Sequence, residues 1–413
     1  GGATTLLEPR SPDAMRAPLG DLADRECTRR GLGGETSARR RHRSAIERRL
    51  ARLLPTLATW IETHRPGLVL LHEQRSAEHA LVHWAARELG CPVLWTGDGL
   101  LPHTLQADER GLDGDAAASQ RRPGDYRVVD GDPALLQACL SNVLARTIPA
   151  ALTRREVVVP SMWARLGCVW AATAARGAGG ARSALFGWRR ALPPRANAHR
   201  APLQLPRAPF VTVLLQDEGQ ARVTMDAVAP PTAGELIRAS IAAAARLDAQ
   251  LHVVVVLPRR ALRRREFVGL CATGQLHFVH ADAAPEAAAL AVATITINHP
   301  LASLALLAGT PVLHVGRALY GLRGVTTHVA TAELAEALPE ALAEDHTALR
   351  QRFLTWLFGY GHLWCSATHP DHNGLAGFVQ AIEARLAQRH PGGSLPRYRR
   401  GPAWPLAAEP HGS

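Results

Sequence analysis

Asp98 and Asp108 are the acidic side chains best placed to act on a substrate. Both fall in the stretch Gly97–Gly111, directly after the apolar run Val93–Trp95. A carboxylate beyond the end of a strand can serve as a general base, a nucleophile or a stabiliser of developing positive charge. Gln216 and Glu218 form a second polar group, at the end of the apolar run Phe210–Leu215. Asn298 and His299 form a third, between the run Thr294–Ile297 and the small-residue segment Leu301–Ala308. A helix starting there would offer unpaired N–H groups and the positive end of its dipole to an anion. The next apolar run, Val312–Val315, leads to Gly316, Tyr320, a Gly-x-x-Gly turn ending at Gly324, and Thr326. These four are expected beside Asn298 and His299 as binding residues of one crevice. Arg75, after Leu68–Leu71, is a cation that could clamp a carboxylate.

Each candidate has an ordinary structural alternative. Asp before Gly shapes turns, Asp108 could cap one, and strand-end Gln216 and Glu218 could simply hydrogen-bond the backbone. A lone His is often structural, and Arg75 could form a surface ion pair. His362, Cys365, His369 and His372 have residue types that suit zinc, but their spacing matches no standard finger, and no metal is assigned.

The elements that must position these groups follow from periodicity. Ser44 to His64 is amphipathic at helical spacing, Leu68–Leu71 reads as a strand, Ser76–Leu89 as a helix and Val93–Trp95 as a second strand. This β-α-β unit directs attention to the loop after Trp95, because ligands collect beyond the carboxyl ends of parallel strands. Pro133–Ile148 reads as a helix, and Trp163–Trp170 as buried core or a membrane-docking segment. From Phe210 onward strand and helix alternate: strands at 210–215, 251–257, 276–279, 294–297 and 312–315, helices at 233–247, 259–267, 285–292 and 301–308. Amphipathic segments at 332–342, 349–358 and 374–387 close the chain. The expected fold is α/β, with two Rossmann-like doubly wound domains facing a cleft and a reduced or truncated N-terminal half. The expected division is an irregular basic segment 1–43, a first domain 44–175, a Gly/Pro/Arg-rich linker 176–208, a second domain 209–390 and a disordered tail 391–413.

The chain has 413 residues, with 47 Lys+Arg against 36 Asp+Glu and a formal charge of +11. Every one of those cations is arginine, so Schiff-base lysine and P-loop lysine chemistry are excluded. Arginines cluster at 39–52, 259–265 and 397–400 and could hold acidic lipid headgroups, anionic glycans or nucleic acid. Nucleic acid is the weakest of these, because aromatics are only 5% and no basic–aromatic platform is present. Six cysteines without paired spacing predict a reducing, cytoplasmic compartment.

A family pattern runs through the same residues. The order Thr296–Tyr320 followed by Gly321–Thr326, with its Gly309-Thr310-Pro311-Val312 strand entry and Gly316-Arg317-Ala318-Leu319-Tyr320, resembles the capsule polysaccharide synthesis family. Gly97–Gly111 is similar to that family's acidic-x-Gly-x-x-Pro loop, and Leu214–Gln220 to the opening of its second domain. The resemblance spans roughly residues 65–385 and implies a GT-B-like retaining glycosyltransferase. It implies a CMP-activated donor carrying Kdo or a related acidic sugar, no cofactor besides that donor substrate, and an anionic glycan or glycolipid acceptor. It places the work at the cytoplasmic face of the inner membrane, without nucleic acid as partner. Asp98, Asp108 and Glu218 would then be the catalytic carboxylates. Arg75, Gln216, Asn298, His299, Gly316, Tyr320, Gly324 and Thr326 would bind donor or acceptor.

The chain also departs from the pattern. Gly97 stands where the family has Glu, Val255-Val256-Leu257-Pro258 where it has Lys-x-His-Pro, and Leu304 where its helix carries Glu. A family member that kept the fold as a binding or scaffold protein is therefore the alternative. Asp113-Gly-Asp115 and Asp130-Gly-Asp132 have the look of metal-binding Asp-x-Asp pairs but read as turns.

Overall fold

A computed structural model describes residues 19–29, 36–74, 76–101, 104–152, 204–216, 231–258, 270, 275–363, 378–379 and 382–383. Arg75, Glu218, the basic segment 259–267 and most of the linker and tail lie outside the described residues. So do Cys365, His369 and His372.

The strands of the second half are β4 (Phe210–Leu214), β5 (His252–Leu257), β6 (Leu276–His280), β7 (Ala293–Thr296), β8 (Val312–His314) and β9 (Thr327–His328). The inner strands β4, β5, β7 and β8 are buried almost throughout, as strands covered on both faces must be, whereas the edge strand β9 is polar. They form one parallel sheet in the order β6-β5-β4-β7-β8-β9. The chain winds outward from β4 in both directions, so the topological switch point lies between β4 and β7. One face carries Val211, Val213, Val255, Ile295 and Leu313 under the helices Ala233–Leu247 and Leu334–Ala343. The first of these starts with a reciprocal cap: Thr232 Oγ1 accepts from Glu235 N–H, and the Glu235 carboxylate accepts from Thr232 N–H at 2.8 Å.

The opposite face is covered from further away in the chain. Phe210, Leu214, Val254 and Val256 share one core with Leu304 and Ala305, with Leu135, Leu136, Cys139 and Val143 of the helix Pro133–Leu152, and with Phe353 and Trp356. Leu100, Leu101 and Tyr126 belong to the same core. One apolar cluster therefore joins the second sheet to the segments that follow β2, while the strands of the first sheet pack in clusters of their own.

The first half is a smaller mixed sheet. β1 (Val69–His72) and β2 (Val93–Asp98) are parallel; β3 (Leu105–Asp108) runs antiparallel to β2; β10 (His362–Leu363) pairs antiparallel with β3. The expected α/β class holds, with the first half the reduced one: a four-stranded sheet whose fourth strand comes from beyond the second sheet. One expectation is corrected. The stretch 97–111 is not a single loop: Gly97 and Asp98 end β2, and Leu105–Asp108 return as its hairpin partner.

The segment 1–43 is not irregular throughout either. Leu19–Arg29 is helix α1, and helix α2 runs Ser37–His64 rather than starting at Ser44. Thr36 caps α2 by accepting from Arg39 N–H. Asp24 of α1 holds Arg39 and Arg43 at 3.3 and 3.1 Å. These contacts between helices are invisible to a periodicity reading of the arginine-rich run. Helix α3 (Ala77–Glu88) follows β1, and α2 and α3 cover the sheet through Ile61, Leu71, Ala85, Val93 and Trp95.

Candidate functional site

Three strand ends of the second sheet converge at the switch point. Gln216 follows β4, Asn298 and His299 follow β7, and Gly316 and Arg317 follow β8. Gln216 Oε1 accepts from Asn298 N–H at 3.0 Å, and Asn298 Nδ2 donates to the Arg317 carbonyl at 3.2 Å. One chain of bonds thus ties all three strand ends. Gln216 is 5% exposed, and its Nε2 has no hydrogen-bond partner among the described residues. A buried amide N–H pair with unused capacity is costly unless something accepts from it.

The expected anion site at the helix start is not available as drawn from sequence. His299 Nδ1 accepts from Leu301 N–H at 3.1 Å, and His299 N–H is taken by Thr296 Oγ1. The N–H groups of Ala302, Ser303 and Leu304 donate to the carbonyls of His299, Pro300 and Leu301. Tight turns at the start of this six-residue helix (Ala302–Leu307) consume the donors a longer helix would leave unpaired.

Tyr320 is fully buried, and its hydroxyl donates to the His299 carbonyl at 2.9 Å. Thr326 Oγ1 donates to the Tyr320 carbonyl at 3.1 Å, so both residues brace the turn from beneath. Gly324 adopts φ +83°, where a side chain is strained, and a Cβ there would meet Leu349 at 2.9 Å. Gly316 N–H donates to the Ile297 carbonyl. Its own carbonyl accepts from His314 Nδ1 at 2.6 Å, which fixes the proton on that nitrogen. His314 is 2% exposed, and burial pushes its pKa down to about 4. Its imidazole is a neutral strut under the Gly316–Tyr320 turn.

The two acidic candidates of the first half separate sharply. Asp98 is exposed at the end of β2. Asp108 is committed to its loop: Oδ1 accepts from Arg110 and Gly111 N–H at 2.8 and 3.2 Å, and Oδ2 accepts from Ala117 N–H at 3.0 Å. Gly97, where the family pattern has Glu, is buried, and a Cβ there would sit 2.7 Å from Leu112 Cδ1. Successive residues of a strand face opposite sides, so Asp98 cannot take over that direction.

Sequence reasoning missed the link between the halves. Arg317 Nη1 lies 2.9 Å from Asp115 Oδ1, and Gln74 Nε2 donates to Asp115 Oδ2 at 3.2 Å. Gln74 Oε1 in turn accepts from Leu112 N–H at 2.8 Å. Asp115 reads in sequence as a turn residue, and Arg317 is one residue of the Gly316–Tyr320 stretch with no role assigned to it; only the fold brings them together. A second link runs through His362. Its Nε2 accepts from Leu100 N–H at 3.0 Å, and its Nδ1 donates to the Leu357 carbonyl. Both ring nitrogens are therefore engaged by backbone, which leaves none for a metal in this arrangement.

No protein-family model matches the chain, and no curated protein matches it. Solved structures similar to it include the KpsC β-Kdo 2,7 transferase of Thermosulfurimonas dismutans. That match has 17% identity over 70% of this chain and 79% of the other, with a TM-score of 0.34. The KpsC β-Kdo 2,4 transferase of the same organism matches at 14% identity over 67% and 78%, with a TM-score of 0.36. A UDP co-structure of S. aureus MnaA matches at 11% identity over 92% and 95%, with a TM-score of 0.31. Scores of this size describe remote similarity, and no residue role follows from them.

Proposed function

We propose that the chain is a glycosyltransferase that holds a nucleotide sugar beyond the carboxyl ends of β4, β7 and β8. The observation that carries this reading is the convergence of Gln216, Asn298 and Gly316–Arg317 at the switch point of a doubly wound sheet, where nucleotide ligands characteristically sit. Arg317 supplies a guanidinium for phosphate and Gln216 an amide donor; with lysine absent, arginine is the cation for this work. The sequence pattern narrows the donor to CMP-Kdo or a related CMP-activated acidic sugar. The sugar would pass from the CMP phosphate oxygen to an acceptor hydroxyl, releasing CMP. The acceptor is a surface or capsular glycan or glycolipid, approached from the β2–β3 side, with Asp98 as the available carboxylate. The work would take place at the cytoplasmic membrane face; among the described residues no helix is long and apolar enough to cross a membrane.

A second reading has specific support: a binding or scaffold protein that kept the fold. Asp108 is occupied by three backbone donors, Gly97 is packed under Leu112, and Val255 and Leu304 are fully buried where the family carries Lys and Glu. Incubation with CMP-Kdo and glycan acceptors separates the two. The transferase reading expects CMP release with an extended glycan. CMP binding without turnover supports the scaffold.

A further inference from the structure

We infer that the outward face of helix α2 is a docking surface for an anionic lipid bilayer. At 3.6 residues per turn, Arg41, Ala45, Arg48, Arg52, Thr59 and Thr63 share one face, opposite the buried Ile46, Leu50, Ala58 and Ile61. The arginines near this helix divide into two sets. Arg39, Arg43 and Arg49 are paired with Asp24, Glu47 and Glu78. Arg40, Arg41, Arg48 and Arg52 are exposed and have no ion pair among the described residues, and the last three share the outward face. Of the carboxylates of α2, Glu47 lies on another face and Glu62 flanks the outward face near the C-terminal end of the helix. The stretch of that face from Arg41 to Arg52 therefore carries only cationic charge, which matches an anionic partner.

What favours a bilayer over a soluble polyanion is the side of the helix about a quarter-turn round from that face. Leu53 is 43% exposed and Trp60 is 50% exposed, and they fall one above the other two turns apart. Trp60 stacks on His64 with ring centroids 4.7 Å apart, which holds the indole at the surface. Arginines with a neighbouring Trp and Leu on a helix lying flat are the chemistry of an interfacial segment. The location is also suited to it. Arg49 bonds Glu78 in the first turn of α3, which directly follows the carboxyl end of β1. The basic half of α2 therefore stands at the same end of the first sheet as Gln74, which contacts Asp115 at the seam between the halves. Membrane binding stands independently of whether sugar transfer occurs.

The test is flotation of the full chain with phosphatidylcholine vesicles and with vesicles that also contain phosphatidylglycerol. Binding only to the anionic vesicles is expected, falling steeply with salt. The triple variant R41Q/R48Q/R52Q should bind about 100-fold more weakly, and Trp60→Ala should bind more weakly at every salt concentration. Circular dichroism of each variant confirms that it is folded. Unchanged binding by the folded triple variant overturns the proposal, as does failure of the wild type to float. A Trp emission spectrum unaltered by vesicles, with heparin binding as tight as vesicle binding, also overturns it in favour of a soluble polyanion.

Discussion

Arg317 and Asp115 meet at 2.9 Å across the seam between the two sheets, joining the turn after β8 to the loop that follows β3. The pair is partly exposed, 51% and 31% by side chain, so its contribution to stability is small. Its position is what matters. Asn298 holds the Arg317 carbonyl, Gln74 holds the second oxygen of Asp115, and the guanidinium stands at the edge of the proposed phosphate site. Arg317→Gln should leave the melting temperature within a few degrees of wild type while weakening CMP binding by about tenfold, the usual size of one charge-assisted contact. Calorimetric titration with CMP measures this, and equal affinity of the two proteins would remove Arg317 from the site.

Asp98 and Asp108 should respond to substitution in opposite ways. Asp108→Ala strands the N–H groups of Arg110, Gly111 and Ala117 and should cost about 2–4 kcal/mol of stability, with Asp108→Asn milder. Asp98→Asn, at an exposed strand end, should leave stability unchanged and abolish transfer. Thermal melts alongside a CMP-release assay test both halves of the statement. An Asp108→Asn protein with normal stability and no turnover would reverse the assignment.

His314 gives stability a pH dependence with a definite sign. Burial depresses its pKa from 6.5 to about 4, so between those values the unfolded chain binds the proton and the folded chain does not. Stability is complete above about pH 6.5 and declines as pH falls toward 4, by about 3 kcal/mol in total from this one group. Melting curves between these limits should show the decline in the wild type. His314→Asn, which keeps a donor near the Gly316 carbonyl, should flatten it.

Gly99 closes the hairpin at the seam. A Cβ there would collide with Thr104 Oγ1, with the Thr104 carbonyl at 2.8 Å and with His362 Cδ2 at 2.7 Å. The carbonyl is backbone and cannot swing aside, so Gly99→Ala should destabilise by about 2 kcal/mol or more and loosen the Leu100–His362 bond. Urea melts of the variant check the magnitude.

Five strands of the second sheet were legible because their signals are local; the two-residue edge strand β9 was not. Continuous runs such as Val253–Leu257 announce buried parallel strands, and Thr232 with Glu235 marks a helix start that matches the expected Ala233. β3 was not legible, since Leu105-Gln106-Ala107-Asp108 has neither length nor clean alternation; its pairing with β2 and with distant β10 makes it a strand. The site divides the same way. Asn298 and Gln216 stood out as polar residues at strand ends, but the bond between them, 82 positions apart, depends on sheet order. Tyr320 read as a ligand contact because aromatic residues serve both roles in sequence, and burial decided for the core. Asp115 reads in sequence as a turn residue, and its pairing with Arg317 has no local signal; two sheets place them side by side.

The most direct test of the central claim is calorimetric titration of the folded full chain with CMP and CMP-Kdo, followed by acceptor addition and detection of CMP and glycan product. Saturable binding of both nucleotides is expected, weakened by Arg317→Gln, with CMP released once a glycan acceptor is present. A folded chain that binds neither CMP nor CMP-Kdo and releases no CMP would contradict it.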